Sequence, residues 1–80
     1  MLTIYGSMLC KDCVRCREDL DRAGVEYVYK DFADDLANLK IFLNLRENSI
    51  FDPVKEQGSI GVPCIVRPDG TLTLDWNEFL

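Results

Sequence analysis

Histidine is absent from this chain, and no run of lysine or arginine occurs anywhere in it. The first absence removes histidine acid–base catalysis and histidine metal ligation from consideration. The second, with a net charge of −5, argues against nucleic acid, whose phosphate backbone rewards clustered cations. No stretch approaches the roughly 20 apolar residues of a membrane span. Met1 to Leu9 shows neither the charged start nor the long apolar run of a signal peptide. A cytoplasmic location is therefore expected, with neither nucleic acid nor a membrane as partner. No repeat, linker or low-complexity segment interrupts the sequence, so residues 1–80 read as one domain, near the lower size limit for folding without staples.

What the chain does have is an apolar content of 48% and four cysteines. A packed core is expected from the first. In a reducing compartment structural disulfides are rare, so closely spaced cysteines read as redox or metal chemistry before scaffolding.

Leu2–Tyr5 is a short apolar run ending at Gly6-Ser7 and predicts a buried strand. Cys10–Ala23 predicts a helix, with Cys13, Cys16, Leu20 and Ala23 on its inner face and Gly24 as its left-handed stop. Val25–Phe32 predicts a second strand with Glu26 and Lys30 facing water. Asp34 or Asp35 would cap a second helix running to about Arg46, with Leu36, Leu39, Phe42 and Leu43 as its apolar stripe, widened by Ile41 and Leu45. Asn48-Ser49 breaks that pattern. Asp52-Pro53 suggests an N-cap and first helical position of a short helix closed by Gly58. Pro63–Arg67 and Thr71–Leu74 predict a hairpin around the turn Pro68-Asp69-Gly70. Asp75 would cap a last turn whose apolar face is Trp76, Phe79 and Leu80. The order β-α-β-α-α-β-β predicts one α/β domain, its first two strands parallel with a right-handed crossover.

Cys10-Lys11-Asp12-Cys13 is a C-x-x-C between a strand and a helix, the context in which this spacing reads as a redox dithiol. A thiol at a helix start faces unpaired N–H groups and the positive end of the dipole, which favour the thiolate. Cys10 holds that place, and Cys13 lies one turn inside. Lys11 reinforces the field at Cys10 and Asp12 opposes it. Gly61-Val62-Pro63 precedes the third strand, where proline is tolerated and where a cis bond is the alternative. Cys16 reads first as a small core residue and otherwise as a redox modulator, while Cys64 reads equally as either. Strand alternation is expected to turn Cys64 away from the site. A zinc or iron–sulfur module ligated by Cys10, Cys13 and Cys16, with Cys64 as a fourth ligand, is the alternative reading. Structural zinc usually takes two cysteine pairs, however, and Cys64 has no nearby partner in sequence.

These features together resemble the glutaredoxins and their thioredoxin-fold relatives. The resemblance rests on the strand Leu2–Tyr5, the C-x-x-C opening a helix, Gly24-Val25-Glu26-Tyr27, Val62-Pro63 and the Pro68-Asp69-Gly70 hairpin. The C-x-x-C-x-x-C made by Cys10, Cys13 and Cys16 is similar to a glutaredoxin-related subfamily. The resemblance implies a thioredoxin-like, glutaredoxin-type fold with a four-stranded mixed sheet, flanking helices and a truncated C-terminal helix. It implies a thiol–disulfide oxidoreductase, with Cys10 as nucleophile, Cys13 as resolving thiol and a cis Pro63 beside them. Lys11, Val62 and Pro63 are the substrate-binding candidates, the Val62 backbone pairing with substrate. Lys11-Asp12 replace the usual Pro-Tyr, and Thr73-Leu74-Asp75 replace a Gly-Gly-Asp run that helps hold glutathione. Hence no cofactor, glutathione included, is expected. The expected partners are protein or small-molecule disulfides and an electron-donating reductase or dithiol.

Overall fold

The computed structural model describes every residue, Met1–Leu80. Its centre is the strand Leu2–Gly6 (β1), buried at Leu2, Ile4, Tyr5 and Gly6. A strand buried on both faces needs apolar side chains pointing both ways, which this short run supplies. Tyr27–Asp31 (β2) pairs parallel to β1, with Ile4 opposite Tyr29 and Gly6 opposite Asp31. Cys64–Val66 (β3) pairs antiparallel to the other edge of β1, and Leu72–Thr73 (β4) pairs antiparallel to β3. The result is a mixed four-stranded sheet in the order β2-β1-β3-β4.

Between β1 and β2 runs the helix Lys11–Arg22 (α1), N-capped by Cys10. Its end shows why Gly24 is glycine. With φ at +73°, Gly24 lets its own N–H reach the Asp21 carbonyl at 3.1 Å and the Val25 N–H reach the Leu20 carbonyl at 2.9 Å. This pair of bonds is the Schellman arrangement, which a residue with a Cβ adopts only with strain. Cys13, Cys16 and Leu20 are buried beneath α1, while Ala23, expected with them, is exposed. Leu2, Ile4, Cys16, Leu20 and Ile65 form the core on this side, and Tyr27, Tyr29, Trp76 and Phe79 pack against it.

The opposite sheet face is covered by Leu36–Leu45 (α2), a 3₁₀ turn at Ser49–Phe51 and the short helix Asp52–Glu56 (α3). Here Tyr5, Phe42, Phe51 and Cys64 form the core. Asp35 caps α2, its carboxylate accepting the Ala37 N–H at 2.9 Å. The apolar stripe of α2 is narrower than its sequence suggests. Leu39, Phe42 and Leu45 face the sheet, whereas Leu36 is 74% exposed and Leu43 51% exposed. Leu36 continues the row of Leu39, Phe42 and Leu45 but lies in the first turn of the helix, outside the packed cluster, and Leu43 lies off that row. Asp52 does not cap α3, because the chain is already helical at Ser49–Phe51 and runs straight into it. The capping side chain is Asn48, which accepts the Ile50 N–H at 3.0 Å.

Past β3 the chain turns at Pro68-Asp69-Gly70. The Gly70 N–H donates to the Arg67 carbonyl, and Gly70 sits at φ +88°. Both strands of this hairpin are shorter than predicted. Asp75 caps the final turn Trp76–Phe79 by accepting the Asn77 N–H at 3.0 Å. Trp76 donates its indole N–H to Asp19 at 2.9 Å, and Arg67 grips both oxygens of Glu78. These contacts tie the C-terminus to α1 and to the hairpin. Leu80, expected on the apolar face, is exposed. No helix is long and apolar enough to cross a membrane.

Phe42 and Leu43 are neighbours in sequence with opposite expected roles. Phe42→Ala should destabilise the domain by about 3–5 kcal/mol, the usual cost of emptying an aromatic core position. Leu43→Ala should cost below about 1 kcal/mol. Urea unfolding of the two variants measures the difference directly.

Candidate functional site

The segment Ser7–Cys10 carries the chain from the end of β1 into α1, and its own polar groups hold it. The Cys10 N–H donates to the Ser7 carbonyl at 3.0 Å, and the Leu9 N–H donates to Ser7 Oγ at 3.1 Å. Asp31, buried at the end of β2, accepts the Met8 N–H on Oδ2 at 3.2 Å and the Ala33 N–H on Oδ1 at 2.8 Å. The sequence pattern did not single Asp31 out. Its role follows from the parallel register that sets it opposite Gly6.

Cys10 then occupies the N-cap with extended backbone, φ −92° and ψ 122°, and its sulfur accepts the Cys13 N–H at 3.3 Å. A capping residue normally supplies an oxygen for this bond; here a half-exposed thiol takes the position. Cys13 is completely buried. Its sulfur lies over Gly6 so closely that a Cβ on that glycine would stand 2.7 Å from it. Burial pushes the Cys13 thiol up to about 12, and the neighbouring Cys10 sulfur adds to the rise. The Ser7 backbone acts in the opposite sense. Cys16, one turn further, is also completely buried and is raised to about 11 by burial and then by Asp19.

On the far side of Cys10 stands the segment Ser59–Pro63. The Val62–Pro63 peptide bond is cis, as the resemblance implies, and Pro63 is buried. Arg46, at the end of α2, donates from Nε to the Ile60 carbonyl and from Nη2 to the Ser59 carbonyl, both at 2.9 Å. Gly61 has φ +95°, and a Cβ there would meet the Phe51 ring at 2.7 Å. The wall is therefore fixed from behind by an arginine and a core aromatic. Between the two segments runs an apolar groove lined by Ser7, Leu9, Cys10, Phe32, Ile60 and Val62.

Of the residues expected at the site, the structure brings Cys10, Cys13, Val62 and Pro63 together. Lys11 is exposed on the first turn of α1 and lines neither this groove nor the adjoining one, which takes Asp12, Val62 and Pro63. Cys64 follows Pro63 directly, yet its side chain lies on the opposite face of the sheet among Tyr5, Phe42 and Phe51. There burial raises it to about 11. The four cysteines are thus not assembled around one point, and no three Cys, Asp or Glu side chains converge in a manner suited to a metal ion.

These surroundings predict a strict order of thiol labelling. Between pH 7 and 8 limited iodoacetamide should modify Cys10 alone, with Cys13, Cys16 and Cys64 reacting only on unfolding. The same burial has a sign in stability. An unfolded thiol releases its proton near pH ~8.5, but Cys16 and Cys64 hold theirs to about 11 when folded. Stability should be full below pH ~8.5 and fall as pH rises toward 11. Peptide mapping of labelled protein and urea midpoints across that range check both statements.

No family model matches the chain, and no solved structure matches it. A protein of Haemophilus influenzae, described as an uncharacterized protein, is 39% identical over 76 residues, covering 94% of this chain and 88% of its own length. Identity at that level across nearly the whole of both chains means that this protein belongs to the same family as the Haemophilus influenzae protein.

Proposed function

We propose that this chain is a thiol–disulfide oxidoreductase of glutaredoxin type, built on a thioredoxin-like fold and working by dithiol exchange at Cys10 and Cys13. One observation carries the reading: the half-exposed Cys10 thiol caps a helix and accepts the backbone N–H of Cys13, whose own thiol is fully buried one turn below. That arrangement divides the labour of exchange. The thiolate is the attacking species in disulfide chemistry. Cys10 is accessible to a substrate disulfide and Cys13 is not. Cys10 attacks one substrate sulfur, the other leaves with the electron pair, and a mixed disulfide forms. Cys13 then attacks the Cys10 sulfur, the second substrate thiol departs, and a Cys10–Cys13 disulfide remains for an external dithiol or reductase to reduce. Its burial keeps Cys13 protonated and unavailable to other electrophiles until the mixed disulfide is beside it.

The groove supports a choice of substrate class. Its walls are mainly apolar, with Leu9 94% exposed and Ile60 62% exposed at its rim. No cationic side chain lines it. A protein disulfide flanked by apolar residues suits such walls better than glutathione, whose carboxylates find no partner there. A reducing compartment such as the cytoplasm suits a protein whose four cysteines are all free thiols.

Reduction of insulin disulfides by dithiothreitol gives the test. Cys10→Ser should abolish the catalysed rate, and Cys13→Ser should accumulate one equivalent of mixed disulfide, visible in the intact mass. Cys16→Ala should stay within about tenfold of the native rate, roughly 1.4 kcal/mol in the barrier. Activity surviving in Cys10→Ser would refute the assignment.

A further inference from the structure

One buried polar group in this protein has no partner. Of all its buried side-chain oxygens and nitrogens, only the Tyr29 hydroxyl completes no hydrogen bond. Such an orphan is costly, and native structures hold few of them. Its location gives it a use. A methyl group on Gly6 would stand 2.7 Å from the Cys13 sulfur and 2.9 Å from the Tyr29 hydroxyl. The sulfur and the hydroxyl therefore border the same small space, which is open only because Gly6 has no side chain. The ring is held there from two directions. Ile4 is its partner on β1, and the Arg17 guanidinium lies over its face, 4.4 Å from the centroid. Arg17 is itself anchored to Met8 Sδ at 3.2 Å and to the Tyr27 hydroxyl at 3.4 Å.

We propose that Tyr29 supports the resolving step: its buried hydroxyl donates a hydrogen bond to the Cys13 sulfur as that sulfur loses its proton and attacks the mixed disulfide on Cys10. This rests on the reading of Cys10 and Cys13 as an exchanging pair. A neutral thiol is a poor acceptor and leaves the hydroxyl proton idle. A thiolate is a strong one, and hydrogen bonds to ionised groups are roughly twice as strong as neutral ones. The contact is thus stronger when charge develops on sulfur than before, which is the condition for accelerating a step rather than merely stabilising a fold. Burial keeps the Tyr29 hydroxyl protonated well above its ordinary range, so it remains a donor wherever the protein works. In the step itself Cys13 gives its proton to water, and its sulfur bonds to the Cys10 sulfur. The bond from Cys10 to the substrate sulfur breaks. The substrate thiolate leaves with that electron pair and takes a proton from water. Tyr29 keeps its own proton throughout. The charged or titrating groups facing this pair are Cys10 beside Cys13, Arg17 over the ring and Asp31, which follows Tyr29 on the same face of β2.

The probe is 5,5′-dithiobis(2-nitrobenzoate) mixed with the reduced, full-length protein in a stopped-flow instrument. One thionitrobenzoate is released as Cys10 attacks and a second as Cys13 resolves. Tyr29→Phe removes a single oxygen. It should leave the first phase within about twofold of native and slow the second about tenfold, which is ~1.4 kcal/mol. The pH profile of the second phase should move about one unit toward alkali, while that of the first stays in place. Tyr5→Phe, on the opposite face of the sheet among Phe42, Phe51 and Cys64, should change neither phase. Fluorotyrosine placed at Tyr29, with a more acidic hydroxyl, should speed the second phase and covers the case in which the phenylalanine variant folds poorly. An unchanged second phase in both Tyr29 variants, or equal slowing of the two phases, would overturn the role of Tyr29 and leave the dithiol reading standing. Absence of a fast first phase at Cys10 in the native protein would overturn both.

Discussion

The seating of α1 on β1 at Gly6 is the constraint on which the site depends. Any side chain at residue 6 would have to occupy the place of the Cys13 sulfur and the Tyr29 hydroxyl, with both atoms under 3 Å from a Cβ. Removing that side chain lets the first turn of the helix come down onto the sheet. Cys13 becomes completely buried, and Cys10, three residues earlier, stays at the rim. A neutral thiol is among the cheapest polar groups to bury, so the close approach costs little while both cysteines are reduced. The cost appears when Cys13 ionises, which is why it is held near 12. One glycine therefore sets the difference in exposure between the two thiols on which the proposed two-step exchange relies.

The second wall of the groove is built by the other core. Gly61 approaches the Phe51 ring as closely as Gly6 approaches Cys13, and Phe51 is fully buried against Phe42 and Cys64. Arg46 adds two hydrogen bonds to the same segment from the end of α2. Cys10 is thus placed by the α1 face of the sheet and Val62 by the α2–α3 face. The separation of Cys10 from the groove wall at Val62 is the sum of two independent packings. Cys64 belongs to the second of these. Sequence adjacency to Pro63 suggests chemistry, but alternation along β3 sends its side chain through the sheet into the aromatic cluster, where it fills space.

Features that depend on local chemistry were legible in the sequence. The C-x-x-C at a helix start, the glycine stop at Gly24, the Pro68-Asp69-Gly70 turn and the Asp35 and Asp75 caps all follow from residue types at fixed offsets, and all are present. Features that depend on register were not. Tyr29 and Asp31 read as ordinary strand residues until the parallel pairing sets them opposite Ile4 and Gly6. Leu36 and Leu43 carry the right spacing for burial, yet the tertiary packing of α2, which no local pattern states, leaves them in water. Asp52 has the composition of an N-cap but lost that role to Asn48, since a 3₁₀ turn had already started the helix. Arg46 is in sequence only the predicted end of the second helix, and the tertiary fold alone brings the Ser59 and Ile60 carbonyls within its reach.

The charge distribution follows from the same geometry. A carboxylate and a guanidinium both lie beside Tyr29, but neither hydrogen-bonds a thiol sulfur. Asp31 is engaged by two backbone N–H groups, and Arg17 lies across the Tyr29 ring and binds Met8 and Tyr27. A free carboxylate beside Cys13 would oppose its ionisation further, and a free cation would make it an open target for any electrophile. Occupying both groups elsewhere leaves only neutral donors, the Ser7 backbone and the Tyr29 hydroxyl, beside the Cys13 thiol. A neutral donor adds little attraction to the thiol and more to the thiolate. In the proposed exchange its effect is therefore concentrated at the moment Cys13 ionises, while the resting Cys13 thiol stays protonated and buried.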